Sequence, residues 1–150
     1  MGHTYSNLLV HVIFSTKNRK PLLHESLRDR LYAYMAGIAR QEFGYALKIG
    51  GTDNHIHALL RLGTDTSVGH AMMRWKSLSS GWVHRTFQEA RDFAWQAGYA
   101  VFSVSKSSVP DVVGYIGNQA QHHKTQTFEE EFVAFLRRHG VDFDPKRIWE

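Results

Sequence analysis

Short stretches of apolar and often β-branched residues predict four strands, at residues 8–15, 45–49, 55–62 and 99–104. In the third and fourth stretches apolar side chains recur with a period of two, which is the period of a strand. The glycine-containing segment 50–54 separates the second stretch from the third and predicts a hairpin loop.

Apolar residues at helical spacing predict two helices between these strands, at residues 25–42 and 68–87. Trp75 lies at a core position of the second helix, so we interpret it as a core residue rather than a base-stacking one. The resulting order, βαββαβ, is typical of an α+β, ferredoxin-like or RRM-like fold. Such a fold packs its helices on one face of an antiparallel sheet, which would leave the other face free for a site. At 150 residues, the chain is expected to form one domain.

Two further helices are predicted after the fourth strand. Pro110 and Asp111 suit the first turn of a helix at residues 109–123, in which Tyr115 and Gln119 share one face. A last helix covers residues 128–139, and Gly140 would cap it. The tyrosine-bearing helix is therefore an addition to the βαββαβ unit.

His55 and His57 lie one residue apart in the third strand, so both imidazoles point to the same face of the sheet. Same-face neighbours lie about 6.5–7 Å apart, which lets two rings converge on one divalent metal. A lone His-x-His pair in a strand is more often simply packed, and Tyr115 is equally compatible with a packed role. The metal hypothesis needs a third ligand, and it needs both imidazoles to face the tyrosine helix rather than a dry interior.

The charge balance favours a polyanionic partner, because 18 Lys and Arg against 14 Asp and Glu give a net charge of +4. The candidate DNA-binding cations are Lys17, Arg19, Lys20, Arg74, Lys76 and Lys106. The chain has no cysteine, which excludes disulfides and thiolate metal sites. No signal sequence or apolar run of about 20 residues is present, so a cytoplasmic protein without membrane contact is expected.

Taken together, the motifs resemble the single-tyrosine HUH transposases, the TnpA-type enzymes that include the repeat-associated tyrosine transposases. His55-Ile56-His57 fits the His-hydrophobic-His motif, and the run Tyr-Ile-Gly-Asn-Gln at 115–119 fits the tyrosine helix. The early strand 11–14 leading into 16–19, the His-His pair at 122–123 and the C-terminal segment also fit. The resemblance covers nearly the whole chain.

The resemblance implies a specific reaction. His55, His57 and Gln119 would bind Mg²⁺ or Mn²⁺, and Tyr115 would attack a phosphodiester of single-stranded DNA with hairpin ends. The products would be a 5′-phosphotyrosine and a free 3′-hydroxyl. The resemblance also implies a homodimer, in which the tyrosine helix of one subunit can act in trans on the metal site of the other.

Two alternatives stay open at this point. One is a non-catalytic single-stranded nucleic-acid-binding module that stacks bases on Phe14 or Tyr99. The other keeps the chemistry but makes the protein a domesticated relative or a Rep-like nickase. His122 and His123 are assigned no role.

Overall fold

The structure is a computed structural model, which describes residues 2–150. Its strands are β1 (Leu8–Ser15), β2 (Gly44–Gly51), β3 (His55–Leu62) and β4 (Ala100–Ser103). Its helices are α1 (Glu25–Glu42), α2 (Val68–Thr86), α3 (Val109–Gly117), α4 (Gln119–His122) and α5 (Phe128–Arg138). Short 3-10 turns lie at Lys17–Arg19, Gln88–Ala90 and Lys106–Ser108. No helix between residues 2 and 150 is long and apolar enough to cross a membrane.

The four strands form one antiparallel sheet in the order β2-β3-β1-β4. This order confirms the α+β, ferredoxin-like prediction. In a ferredoxin-like βαββαβ unit β1 and β3 are the central strands, and β2 and β4 are the edge strands. The register sets Ile13 opposite His57 and His11 opposite Leu59. His11 and His57 are therefore diagonal neighbours on one face of the central strand pair.

The first face of the sheet packs against α1 and α2. Val12, Phe14, Ile56 and Leu60 supply the sheet side of this core and are fully buried. Trp75 of α2 is also fully buried, as predicted, and its indole N–H donates to a main-chain carbonyl of α1 at 2.8 Å. Phe14 packs edge-on against Trp75, so it is not available to stack a base.

The second face of the sheet is not free, and this part of the prediction was wrong. Residues 104–150 return across it and cover it with α3, α4 and α5. Ile13 packs with Phe128, Phe132 and Phe135 of α5, while Leu59 packs with Ile116 of α3. The physical reason is that this face carries apolar residues between its histidines, and these need cover from water.

The helix predicted at residues 109–123 is broken at Asn118, which has φ −107° and ψ 23°. The N–H of Asn118 bonds to the Tyr115 carbonyl three residues earlier, so α3 ends in a tight turn at Gly117. Glycine lowers helix stability, which is consistent with a break at this point. The last helix is confirmed, and Gly140 follows it with the left-handed φ of 67°.

Close contact between α3 and β2 depends on Gly50. A Cβ placed on Gly50 would lie 2.4 Å from the Ile116 carbonyl oxygen. That distance is shorter than any normal contact, and the atom belongs to the main chain, so α3 itself would have to shift. Gly50 therefore lets α3 lie directly against the sheet, next to the strand that carries His55 and His57.

We expect Gly50→Ala to destabilise the fold by about 1–3 kcal/mol, because the added methyl group forces α3 outward. Gly37→Ala is the matched control: Gly37 lies inside α1 with open space around it, so alanine should stabilise by about 0.5–1 kcal/mol. Denaturant unfolding of both variants checks this. Equal effects of the two substitutions would contradict the close approach of α3.

Candidate functional site

His55 and His57 lie on the second face of the sheet, and neither side chain is exposed to solvent. They nevertheless face the tyrosine helix, since the ring of His57 lies 5.7 Å from that of Tyr115. The centroids of the two imidazoles are 5.2 Å apart. The strand geometry thus brings both rings to one point, as the sequence indicated, but under a cover of helices.

Four side chains direct ligand-type atoms to this point: His55, His57, His123 and Glu131 offer donor atoms that all lie within 4.8 Å of one another. Glu131 Oε1 lies 2.8 Å from His57 Nε2 and 3.2 Å from His123 Nε2. The side-chain oxygen of Gln119 lies 3.0 Å from His55 Nε2 and 3.0 Å from His123 Nε2. Gln119 is thus beside the cluster, and His123 and Glu131 join it.

Tyr115 touches this cluster through its hydroxyl group. The hydroxyl donates to Glu131 Oε2, the carboxylate oxygen that does not face the histidines of the strand. It also lies 3.2 Å from Nε2 of His122, the last residue of α4. Tyr115 lines a cavity of about 220 Å³ together with His11 and Arg138. The phenol therefore lies between the buried cluster and an opening.

Burial makes the histidine pair neutral. It lowers the pKa of His55 to about 3, and it also lowers the pKa of His57. Burial alone would raise the pKa of Glu131, but hydrogen bonds from His123 and His57 hold that pKa well below its usual range. Burial, and then contact with Glu131, raises the pKa of Tyr115. The site thus contains a carboxylate charge on Glu131, neutral imidazoles at His55 and His57, and a protonated phenol.

The hydrogen-bonding pattern of His55 suits a bound cation. Its Nδ1 lies 2.9 Å from the side-chain oxygen of Asn54, while its Nε2 lies 3.0 Å from that of Gln119. The Thr52 hydroxyl also lies 3.1 Å from Nδ1 and can donate to it or accept from it. A neutral imidazole has only one N–H, so with hydrogen on Nδ1 the lone pair of Nε2 points to the side of Gln119, where a bound cation would be favourable.

His123 has an acceptor on each side of its ring. Its Nδ1 donates to the main-chain carbonyl oxygen of Gln126 at 2.7 Å. Its Nε2 lies within hydrogen-bond distance of Gln119 and Glu131, so it donates there when the ring is protonated and offers a lone pair to a metal when the ring is neutral. Burial lowers the pKa of His123, but the hydrogen bond with Glu131 outweighs it and leaves the pKa raised. Three imidazoles and one carboxylate form a donor set suited to a divalent metal.

Of the six candidate DNA-binding cations, three are exposed and three are engaged within the chain. Lys17, Lys20 and Lys106 are exposed, and within residues 2–150 no carboxylate lies within ion-pairing distance of them. Arg19 pairs with Glu129 at 3.0 Å and lies 4.4 Å from the Trp149 ring, and Arg74 pairs with Glu42 at 3.0 Å. These two arginines are engaged within the chain.

Lys76 is a correction to the sequence prediction. Its ammonium group donates to the carbonyl oxygens of residues 96, 97 and 98 at 3.0, 3.3 and 2.5 Å. All three N–H donors are used inside the protein, and burial lowers the pKa of Lys76 to about 8. Lys76 therefore ties α2 to the segment before β4 instead of offering a free charge to DNA. No sequence pattern indicated these carbonyl groups.

Sequence reasoning missed Glu131 and left His123 without a role. The signal for His123 is its spacing, because it follows Gln119 by four residues. The signal for Glu131 is its position on the same helical face as Phe128, Phe132 and Phe135. A charged residue is not expected on a face that is otherwise apolar. A carboxylate on such a face must be paired once it is buried.

The neighbours His123 and His122 allow a direct test of the metal cluster. A ligand that binds only the folded state at 100 times its Kd stabilises it by about 2.7 kcal/mol, so Mn²⁺ should raise the Tm of the wild-type protein. His123→Ala should abolish this rise, whereas His122→Ala should retain it, because only His123 points into the cluster. Thermal unfolding with and without MnCl₂ measures the effect. A Tm rise with MnCl₂ in the His123→Ala variant as large as that in the His122→Ala variant would exclude His123 as a ligand.

Comparisons with known proteins agree with the geometry. Residues 4–119 match the family described as "Transposase IS200 like", and this match includes the histidine pair, Tyr115 and Gln119 but ends before His123 and Glu131. No curated protein matches the sequence.

Two solved structures share the fold. One is a crystal structure of a candidate transposase from Deinococcus radiodurans R1, with 23% identity and a TM-score of 0.62, covering 79% of this chain and 96% of that one. The other is a REP-associated tyrosine transposase bound to a REP hairpin, with 14% identity and a TM-score of 0.60, covering 82% of this chain and 73% of that one. With the family match over residues 4–119, the chain belongs to the IS200-like transposases, a family of DNA-cleaving enzymes.

Proposed function

We propose that this chain cleaves and rejoins single-stranded DNA, with Tyr115 as the nucleophile and a divalent ion in the histidine cluster. One observation carries the proposal: a single buried carboxylate, Glu131, contacts the Tyr115 hydroxyl with one oxygen and His57 with the other. Glu131 thus places the tyrosine hydroxyl beside a group of potential metal ligands. A phosphate bound between them would contact both the nucleophile and the ion.

The proposed step is a transesterification. The phenolic oxygen of Tyr115 attacks phosphorus and its proton passes to Glu131, which already accepts its hydrogen bond. The bond from phosphorus to the 3′-oxygen breaks, which leaves a 5′-phosphotyrosine, and the 3′-oxygen takes up a proton to become a hydroxyl. Attack by a 3′-hydroxyl on the phosphotyrosine reverses these bond changes. The strands are then rejoined without a nucleotide cofactor.

His55, His57 and Gln119 are the proposed metal ligands, joined by His123 and Glu131. A divalent ion held there would supply positive charge to neutralise the scissile phosphate and stabilise the leaving oxygen. Of the two ions that the resemblance implies, Mg²⁺ prefers oxygen ligands, whereas Mn²⁺ also accepts imidazole nitrogen. Because most of these proposed ligands are imidazoles, we propose Mn²⁺ as the better-fitting ion.

The proposal requires the helices over the site to move. His55, His57, Gln119 and Glu131 are all buried, so a DNA backbone cannot reach them with α5 in this position. The cavity beside Tyr115 is the existing opening, and the exposed Arg138 on its wall suits a phosphate. A shift of the C-terminal end of α5, which carries Phe135 and Arg138 on the cavity wall, would extend this opening while Glu131 stays at the cluster.

A hairpin-bearing single strand is the proposed substrate, which the hairpin bound to the REP-associated relative supports. The contact between Tyr115 and the cluster lies within one chain, so a single subunit contains every group that the reaction needs. The homodimer and the action of the tyrosine helix in trans stay predictions that rest on the resemblance.

Tyr115→Phe should abolish the covalent DNA adduct and reduce cleavage by at least about a thousandfold, because no hydroxyl is left to attack. Tyr99→Phe is the control, since Tyr99 lies outside the cluster. Labelled single-stranded DNA with a hairpin, incubated with each protein and Mn²⁺, is analysed on a denaturing gel. An adduct formed by the Tyr115→Phe variant would show that another residue attacks, and DNA binding without any wild-type adduct would favour the binding module.

The exposed lysines should set the salt dependence of DNA binding. Removing one phosphate contact lowers the slope of log affinity against log salt by about 0.7 for a single strand. We expect this decrease for Lys17→Ala and for Lys20→Ala, whereas Lys76→Met should leave the slope unchanged because Lys76 is bonded within the protein. Fluorescence anisotropy at several salt concentrations measures the slopes. A lower slope for the Lys76 variant would restore it as a DNA contact.

A further inference from the structure

His57 has a hydrogen-bond partner on the side of its ring that faces away from Glu131. His57 Nδ1 lies 2.8 Å from Nε2 of His11, a residue of β1 that the proposed reaction has not used. Both residues are buried, and the antiparallel pairing of β1 with β3 places them diagonally on the same face. The ring of His11 is held from the side by Phe135, whose ring centroid lies 5.1 Å away at nearly a right angle.

This contact bears on which nitrogen of His57 carries hydrogen. An imidazole that binds a metal through Nε2 must keep the lone pair there, so its hydrogen has to be on Nδ1. A buried Nδ1–H in turn needs an acceptor, and the structure offers it Nε2 of His11. His11 can accept only if its own hydrogen is on Nδ1.

We propose that His11 is a positioning residue, which accepts a hydrogen bond from His57 Nδ1 and so directs the lone pair of His57 Nε2 into the metal site. The inference rests on the proposed function only in that the cluster binds a metal. It concerns the orientation and hydrogen position of His57, and it gives His11 no contact with DNA or with the reacting atoms.

The other two histidines of the cluster show the same design. Nδ1 of His55 faces the side-chain oxygen of Asn54 at 2.9 Å and the Thr52 hydroxyl at 3.1 Å, and Nδ1 of His123 faces the carbonyl oxygen of Gln126 at 2.7 Å. In each case an acceptor behind the ring leaves Nε2 for the site. His11 supplies the equivalent acceptor for His57.

His11 differs from the other two acceptors in one respect. An amide oxygen or a carbonyl oxygen can only accept, whereas an imidazole nitrogen accepts or donates according to its hydrogen. His57 Nε2 lies at hydrogen-bond distance from Glu131, an arrangement that suits a hydrogen on Nε2 and donation from His11 to His57. Metal binding therefore requires the hydrogens of both rings to change nitrogen together.

The direct test is the nitrogen chemical shifts of His11 and His57 in the full-length protein, measured by ¹⁵N NMR with and without Zn²⁺ as a diamagnetic probe. With the ion bound, we expect His57 and His11 each to carry hydrogen on Nδ1. A bound protein in which His11 carries hydrogen on Nε2 would overturn the inference, because that nitrogen would then be unable to accept.

A second test uses variants and MnCl₂ alone, with affinity read by titration calorimetry. His11→Phe, which fills the space without an acceptor, should weaken Mn²⁺ binding about 10–100-fold. His11→Gln, whose side-chain oxygen can accept, should bind within a few-fold of wild type. His139→Phe is the control, because His139 stacks on Phe102 nearby without a hydrogen bond to the pair.

These results separate the inference from the proposed function. If wild type binds Mn²⁺ and forms the adduct but His11→Phe binds Mn²⁺ equally well, His11 has no positioning role and the proposed function stands. If wild type binds no metal, the proposed metal site fails, and the inference fails with it. If His11→Phe does not fold, His11→Gln and the NMR experiment on wild type still decide, since a folded Gln variant with strongly weakened Mn²⁺ binding would overturn the inference.

Discussion

The buried carboxylate of Glu131 is the constraint on which the second half of the structure depends. A charge cannot remain in an apolar interior unless hydrogen bonds or opposite charges match it. Here the partners come from three separate places in the chain: His57 on the central strand, His123 after α4 and the Tyr115 hydroxyl on α3. The position of α5 over the sheet is therefore coupled to the positions of all three.

This coupling makes the C-terminal segment part of the site. Phe128, Phe132 and Phe135 attach α5 to the sheet, while Arg19 holds its outer side through Glu129 and the ring of Trp149. The same helix that covers the histidines thus supplies a carboxylate to them. Under the proposed function, a ligand that changed the contacts of Glu131 would therefore also change how α5 is held against the sheet.

The two faces of the sheet have different roles: one forms the main hydrophobic core, and the other carries the candidate site. The face toward α1 and α2 is lined mainly by apolar side chains that pack around Trp75, and the proposed reaction uses none of them. The opposite face combines apolar residues with His11, His55 and His57 on the two central strands. Because central strands are paired on both sides, they hold these imidazoles more rigidly than a loop would.

The sequence by itself determined the βαββαβ order, the helix bounds of α1 and the shared face of His55 and His57, because local periodicity and alternation decide these features. It also pointed to Tyr115 and Gln119, through spacing and resemblance. Only the tertiary structure decided that Glu131 and His123 join the cluster, that Lys76 is bonded to carbonyl groups and that the second face is covered. Those features depend on contacts between distant segments, and such contacts follow from how the chain packs rather than from any pattern within one element.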